Sequence, residues 1–200
     1  MPGFVICFAG QIGSGKSSVT RCLATALEWP RAAFGGYVRA ELARRGGDPT
    51  SRDALQDLGQ ELVDADPHSF CAAVLASAGF KPGGDLLLDG VRHIAIQRIV
   101  SDLVRPSVTK LLYLAAGEQE RLKRVASRTG EGKTFARAST HRVEADLYTS
   151  LPAIADRSVD ASAPLAQVVS HCLATLEELG VDPAQIAHAS GRLGAATSGA

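Results

Sequence analysis

Phe4-Val5-Ile6-Cys7-Phe8-Ala9 runs straight into Gly10-Gln11-Ile12-Gly13-Ser14-Gly15-Lys16-Ser17, and the reading of this stretch decides the fold. Six nearly continuous apolar residues have the character of a buried parallel strand, and the segment after them fits G-x-x-x-x-G-K-[ST] at every fixed position. Glycines let such a turn curl until successive N–H groups face one anion, and the helix that follows brings its positive dipole end to the same point. Gly10, Gly13, Ser14, Gly15, Lys16, Ser17 and Ser18 are therefore expected to hold a nucleotide's phosphates. Lys16 would reach the β- and γ-phosphates and the Ser17 hydroxyl would hold Mg²⁺.

The 200 residues suit one domain, and 46% hydrophobic with 21% charged residues is an ordinary globular composition. Lysine plus arginine balance aspartate plus glutamate at 21 each, so there is no global basic footprint for nucleic acid or an anionic membrane. Cys7, Cys22, Cys71 and Cys172 are far apart with no C-x-x-C pair, the pattern of buried thiols in a reducing compartment. The apolar run at Phe4 is too short to cross a bilayer and follows no basic region, so a cytoplasmic protein is expected, with no membrane or nucleic-acid partner. A monomer and a homodimer both fit.

Outward from the loop, apolar spacing predicts a helix over Lys16–Glu28, ended by Trp29-Pro30, and a short second strand at Ala32–Phe34 closing on Gly35-Gly36. Helices follow over Tyr37–Arg45, after Thr50-Ser51, and from Pro67. Leu86-Leu87-Leu88-Asp89 is a third strand ending in an acid, and Val108–Leu114 a fourth, with a helix over Ile94–Val104 between them. Further helical segments are expected at Glu118–Arg128 and His141–Leu147, a last strand at Ser158–Asp160 and a helix over Pro164–Leu179. Alternating strands and helices imply an α/β protein with a parallel sheet, right-handed crossovers and helices on both faces. One domain is expected over residues 1–180, with an acceptor-binding region at about 36–80, a lid at about 128–142, and a flexible tail at 181–200 whose last ten residues are small and glycine-rich.

Ligands of such sheets bind at the carboxyl ends of the strands, where the glycine turn and Asp89 lie. Asp89 fits a Mg²⁺-associated acid facing Ser17, on the argument that a carboxylate at the mouth of a buried strand needs a cation; capping the next helix is the alternative. Between Arg121 and Arg142 seven basic residues face one acid, Glu131. Arg121, Arg124 and Arg128 stand at i, i+3 and i+7, so one helical face aims three guanidinium groups one way, as a closing segment would to stabilise charge in phosphoryl transfer. A solvated charged helix is the other reading. Arg39, Arg52 and Arg92 are candidate acceptor-binding residues, because a planar guanidinium fork matches a phosphate.

Gly10–Ser17, the helix at Tyr37-Val38-Arg39, Leu55-Gln56-Asp57-Leu58-Gly59, the turn Asp89-Gly90-Val91-Arg92 and the Arg121–Arg128 segment together resemble small P-loop kinases. The likeness is to nucleotide-kinase-like proteins related to dephospho-CoA kinase and deoxynucleoside monophosphate kinases, over residues 3–175. It implies a three-layer P-loop NTPase fold with a five-stranded parallel sheet, ATP and Mg²⁺ as cofactors, and transfer of the γ-phosphate to a small acceptor. It also implies that Ser162, Ala163 and Pro164 border the adenine, that Lys16 and Asp89 are catalytic, and that Arg124 and Arg128 come from the lid with Arg128 at the phosphates.

One departure matters. Relatives that phosphorylate a hydroxyl generally carry an acid just after the second strand, where this chain has Phe34-Gly35-Gly36. A hydroxyl must lose a proton whereas an acceptor phosphate arrives ionised, so the departure favours a (deoxy)nucleoside monophosphate. Hydroxyl-directed kinases, of dephospho-CoA or a nucleoside, and a nucleotide-sensing regulatory ATPase are the alternatives. Against the last stands the absence of N-K-x-D and of a D-x-x-G switch after a strand.

Overall fold

In the computed structural model, which describes residues 2–129 and 149–198, five parallel strands form one sheet in the order β2-β3-β1-β4-β5. The strands are β1 (Phe4–Ala9), β2 (Arg31–Ala33), β3 (Leu86–Asp89), β4 (Val108–Ala115) and β5 (Arg157–Asp160). The pairs at the carboxyl ends of the strands fix the register around the phosphate loop: Phe8 lies opposite Asp89 on one side and Leu112 on the other. Residues 130–148, which include most of the expected lid and the expected helix at His141–Leu147, lie outside the described residues.

Period-two alternation explains the two cores. Val5, Cys7 and Ala9 of β1, Leu86 and Leu88 of β3, and Leu111 and Tyr113 of β4 point to one face. Helices α2 (Phe34–Arg44), α3 (Arg52–Ala65), α4 (Pro67–Ser77) and α5 (Ile94–Leu103) supply Phe34, Leu58, Phe70 and Val100 to the core on that face. Ile6, Phe8, Leu87, Leu112 and Leu114 point to the other face. They pack on α1 (Lys16–Leu27), α8 (Leu165–Glu178) and α9 (Pro183–Ser198). The remaining helices among the described residues are α6 (Glu118–Thr129) and the short α7 (Ser150–Ile154). Among the described residues no helix is long and apolar enough to cross a membrane. All four cysteines are free thiols, and burial alone pushes Cys71 and Cys172 up to about 12.

Two expectations are corrected here. The second strand stops at Ala33, and Gly35-Gly36 stand in the first turn of α2 rather than in a loop before it. Ala33 is still extended at φ −144° and Phe34 is already helical, so the chain turns within one residue. The stretch from residue 181, expected as a loose tail, enters helix α9. Val181, Ile186 and Ala189 are buried against α1 and α8, where small side chains permit close helix approach. Arg192 then donates from Nη1 to the carbonyl of Ala26 (2.6 Å) and from Nη2 to Glu28 Oε2 (2.6 Å), satisfying the carbonyl end of α1. Ending the chain at Val181 is therefore expected to destabilise the protein by about 2–3 kcal/mol from lost apolar burial, a fall in Tm of about 5–10 °C. An unchanged melting curve in the truncated protein would mean that α9 adds nothing.

Helices α2 and α3 are clamped electrostatically. Glu41 accepts from Arg44 (2.7 Å) and Arg45 (2.8 Å), and Arg45 also reaches Glu61 on α3 (2.8 Å). These hydrogen bonds hold the Glu41 carboxyl at about 2, below its ordinary 4.5. A depressed carboxyl contributes stability that is complete above its unfolded value and lost as pH falls through the folded one. Amide protection factors in α2 and α3, corrected for the intrinsic pH dependence of exchange, are thus expected to fall between pH about 4.5 and about 2, and Glu41→Gln is expected to remove that step.

Candidate active site

The loop after β1 is shaped by three glycines at positive φ, Gly10 (144°), Gly13 (84°) and Gly15 (90°). Ser14 donates its backbone N–H to the carbonyl of Gln11 (3.1 Å), which closes the turn, and its side chain is buried. The N–H groups of Gly13, Gly15 and Ser17 have no backbone acceptor among the described residues, and α1 begins at Lys16. Together they make a cradle of donors at a helix N-terminus, suited to an anion. Lys16 lies folded over the loop, its ammonium on the carbonyl oxygens of Gly10 and Gln11, the latter at 2.9 Å, and within 3.4 Å of Ser14 Oγ.

Two cavities open from this loop. The smaller, about 450 Å³, is lined by Ser14, Gly15, Ser18, Arg124 and the Ser162–Pro164 loop. Arg124 spans it, donating to the carbonyls of Ser14 (3.3 Å) and Ser162 (3.4 Å) and pairing with Glu120 (3.0 Å). Sequence spacing placed Arg121, Arg124 and Arg128 on one face, and the first two are turned onto the phosphate loop. Arg121 is 5% exposed and donates to the carbonyl of Ile12 (3.3 Å). The side chain of Arg128 lies outside the described residues.

The larger cavity, about 830 Å³, reaches from Lys16 and Ser17 between α2 and α3. Phe34 and Tyr37 on α2 stack edge-wise or tilted on Phe70 of α4, at 5.3 and 5.8 Å between ring centres, which sets that wall. Arg39, Arg52 and Arg92 all line this cavity. Arg92 is brought there by the turn after β3, whose Gly90 and Val91 N–H groups both bond the carbonyl of Phe8 (3.1 Å). In all the walls carry six cationic side chains and two carboxylates, Asp53 and Asp89, so the field inside is positive.

Asp89 is 4% exposed at the end of β3 and, like Ser17, lines this cavity. Its cationic partner, however, is a residue the sequence reading passed over. Arg31, at the start of the adjacent β2, pairs through Nη2 with Asp89 Oδ2, and its Nε donates to Thr20 Oγ1 (2.8 Å), one turn beyond Ser17 on α1. The need for a cation at the strand mouth is thus met within the chain and by itself no longer argues for a metal. Among the described residues Asp89 Oδ1 has no hydrogen-bond donor, and the residue itself lines the cavity.

Residues 6–145 match the AAA_18 family, an AAA domain. The chain belongs to this family. A UPF0200 protein of Aeropyrum pernix is 29% identical to this AAA_18 chain over 132 residues, 66% of the chain and 68% of that protein. A cytidylate kinase of Pyrobaculum calidifontis is 30% identical over 129 residues, 63% of the chain and 61% of that protein. Among solved structures, a gluconokinase from Sinorhizobium meliloti 1021 superposes with a TM-score of 0.56 at 20% identity, covering 89% of this chain and 93% of that one, which supports the P-loop kinase fold.

The family implies ATP and Mg²⁺, and the site suits both. The donor cradle and Lys16 match a polyphosphate, and Ser17 and Asp89, which line the same cavity, offer hard oxygen ligands.

Proposed function

We propose that this AAA_18 protein is an ATP-dependent phosphotransferase whose acceptor is a small anion, a (deoxy)nucleoside monophosphate before other classes. The observation that carries the reading is the pair of cavities meeting at one phosphate loop: a slot beside Arg124 and Ser162–Pro164 for the base of ATP, and a cationic chamber beyond Lys16 for the acceptor. Similarity to a cytidylate kinase points the same way.

In this reading the loop amides and Lys16 hold the β- and γ-phosphates of ATP. Ser17 and Asp89 are the groups that would hold Mg²⁺, which when bound neutralises phosphate charge. Lys16, which itself lines the larger cavity, leaves the carbonyls of Gly10 and Gln11 for the phosphates, exchanging two neutral acceptors for charged ones. Arg39, Arg52 and Arg92 grip the acceptor's anionic group and aim one of its oxygens at the γ-phosphorus. Arg124 carries the developing charge from the other side, and Arg128, whose side chain lies outside the described residues, is the second arginine expected to act with it.

A product-resolved assay with ATP, Mg²⁺ and a panel of nucleoside monophosphates, nucleosides and coenzyme precursors tests this. Rapid ADP formation with one monophosphate is the expected result. Rapid turnover of dephospho-CoA or a nucleoside instead would move the protein to the hydroxyl-directed kinases. ATP hydrolysis indifferent to every acceptor would favour the regulatory ATPase.

A further inference from the structure

Arg31 has no part in the reading above, yet it is the only cation among the described residues that the structure pairs with Asp89. It stands at the reaction end of the larger cavity, its side chain 21% exposed and that of Asp89 5% exposed. Two of its nitrogens are fixed, Nε on Thr20 and Nη2 on Asp89, and Nη1 has no hydrogen-bond partner among the described residues. The guanidinium therefore bridges α1 to the carboxyl end of β3, with one edge turned to neither. Position reinforces the point: in parallel register Ala33 lies opposite Asp89, so Arg31 reaches forward along its own strand to arrive there.

We propose that Arg31 sets the acceptor class: by cancelling the charge of Asp89 at the reaction end, it lets the attacking group be an anionic phosphate oxygen rather than an alcohol. This rests on the kinase reading of the same site. A carboxylate near the point of transfer repels an incoming dianion and welcomes a hydroxyl, whose proton it can take. Paired with Arg31, the same carboxylate presents no net charge, and the free guanidinium edge adds attraction for an anion. The residue after β2 tells the same story, since Phe34 stands there and supplies no second carboxylate. The other cavity acid, Asp53, is exposed on the first turn of α3. Arg31 is thus a specificity-determining residue that acts on the acceptor largely through Asp89.

The test is equilibrium calorimetry of matched ligands, each nucleoside 5′-monophosphate against its own nucleoside, on the full-length protein and on Arg31→Met, Arg31→Lys and the double variant Arg31→Met/Asp89→Asn. The wild type is expected to bind at least one monophosphate well above its nucleoside. Arg31→Met should weaken that monophosphate by about 10- to 100-fold, the scale of one charge pair at close quarters, and leave the nucleoside unchanged. Arg31→Lys should recover most of the loss. The double variant should recover about tenfold, because the repelling charge is gone; it also guards against misfolding caused by an unpaired Asp89. Retained discrimination in Arg31→Met, no recovery in the double variant, or a wild type that binds no monophosphate overturns the proposal.

Failure of the kinase reading looks different. Arg31-dependent discrimination in a protein that never consumes ATP would sink the phosphotransferase assignment and leave Arg31 its role. Brisk transfer from ATP to an alcohol, with Arg31→Met harmless, would do the reverse.

Discussion

Lys16→Ala is expected to slow phosphoryl transfer by at least about 10²- to 10³-fold, the cost of removing one preorganised charge from a transition state. The protein should fold as before. The lysine's visible partners are the carbonyls of Gly10 and Gln11 and the hydroxyl of Ser14, and Lys16 itself lines the larger cavity, from which water can follow into the space its side chain leaves. The change in stability should stay near 1 kcal/mol or below, a shift of roughly 2–4 °C in Tm for a chain of this size. Steady-state rates with the best acceptor, set beside melting curves of both proteins, decide it. Undiminished turnover would detach Lys16 from the chemistry; loss of folding would make the ammonium a structural staple of the loop instead.

Much of this architecture is written locally in the chain, and what is not depends on contacts distant in sequence. The run Phe4–Ala9 and the spacing of Gly10, Gly15, Lys16 and Ser17 are local signals, and the strand, turn and helix they imply are all present. Leu86–Asp89 was legible for the same reason, three buried leucines ending in an acid. Arg31 was not, because nothing in Arg31-Ala32-Ala33 says that β2 lies beside β3; the pair with Asp89 spans 58 residues and follows only from the strand order. Arg121 and Arg124 were legible as sharing one helical face, but the carbonyls of Ile12 and Ser14 that they meet were not, since a periodicity shows which residues face together and not what they face. Helix α9 was obscured by composition. Its alanines and glycines resemble a loose tail, whereas Ile186, Ala189 and Arg192 gain their meaning from α1, some 160 residues earlier.

Gly13→Ala should cripple the same loop by a different route, through shape instead of charge. At φ +84° an alanine is already strained by about 1–2 kcal/mol, because its Cβ crowds the backbone carbonyl. A Cβ at this position would also sit 2.7 Å from the carbonyl oxygen of Arg121 and 3.0 Å from its Cβ, so α6 and the loop must part. Overpacking against backbone adds about 1–3 kcal/mol. The sum, about 2–5 kcal/mol, corresponds to a fall in Tm of about 5–15 °C. Nucleotide affinity should fall at least tenfold as well, because the displaced loop no longer aims its N–H groups at one point, and a separation of 1 Å is large on the scale of a hydrogen bond. Gly35→Ala is the matched control. That glycine has negative φ and no atom within 4 Å of an added Cβ, so the same substitution there should leave Tm within about 2 °C. Equal behaviour of the two variants would show that the close seat of α6 on the phosphate loop is not what makes Gly13 necessary.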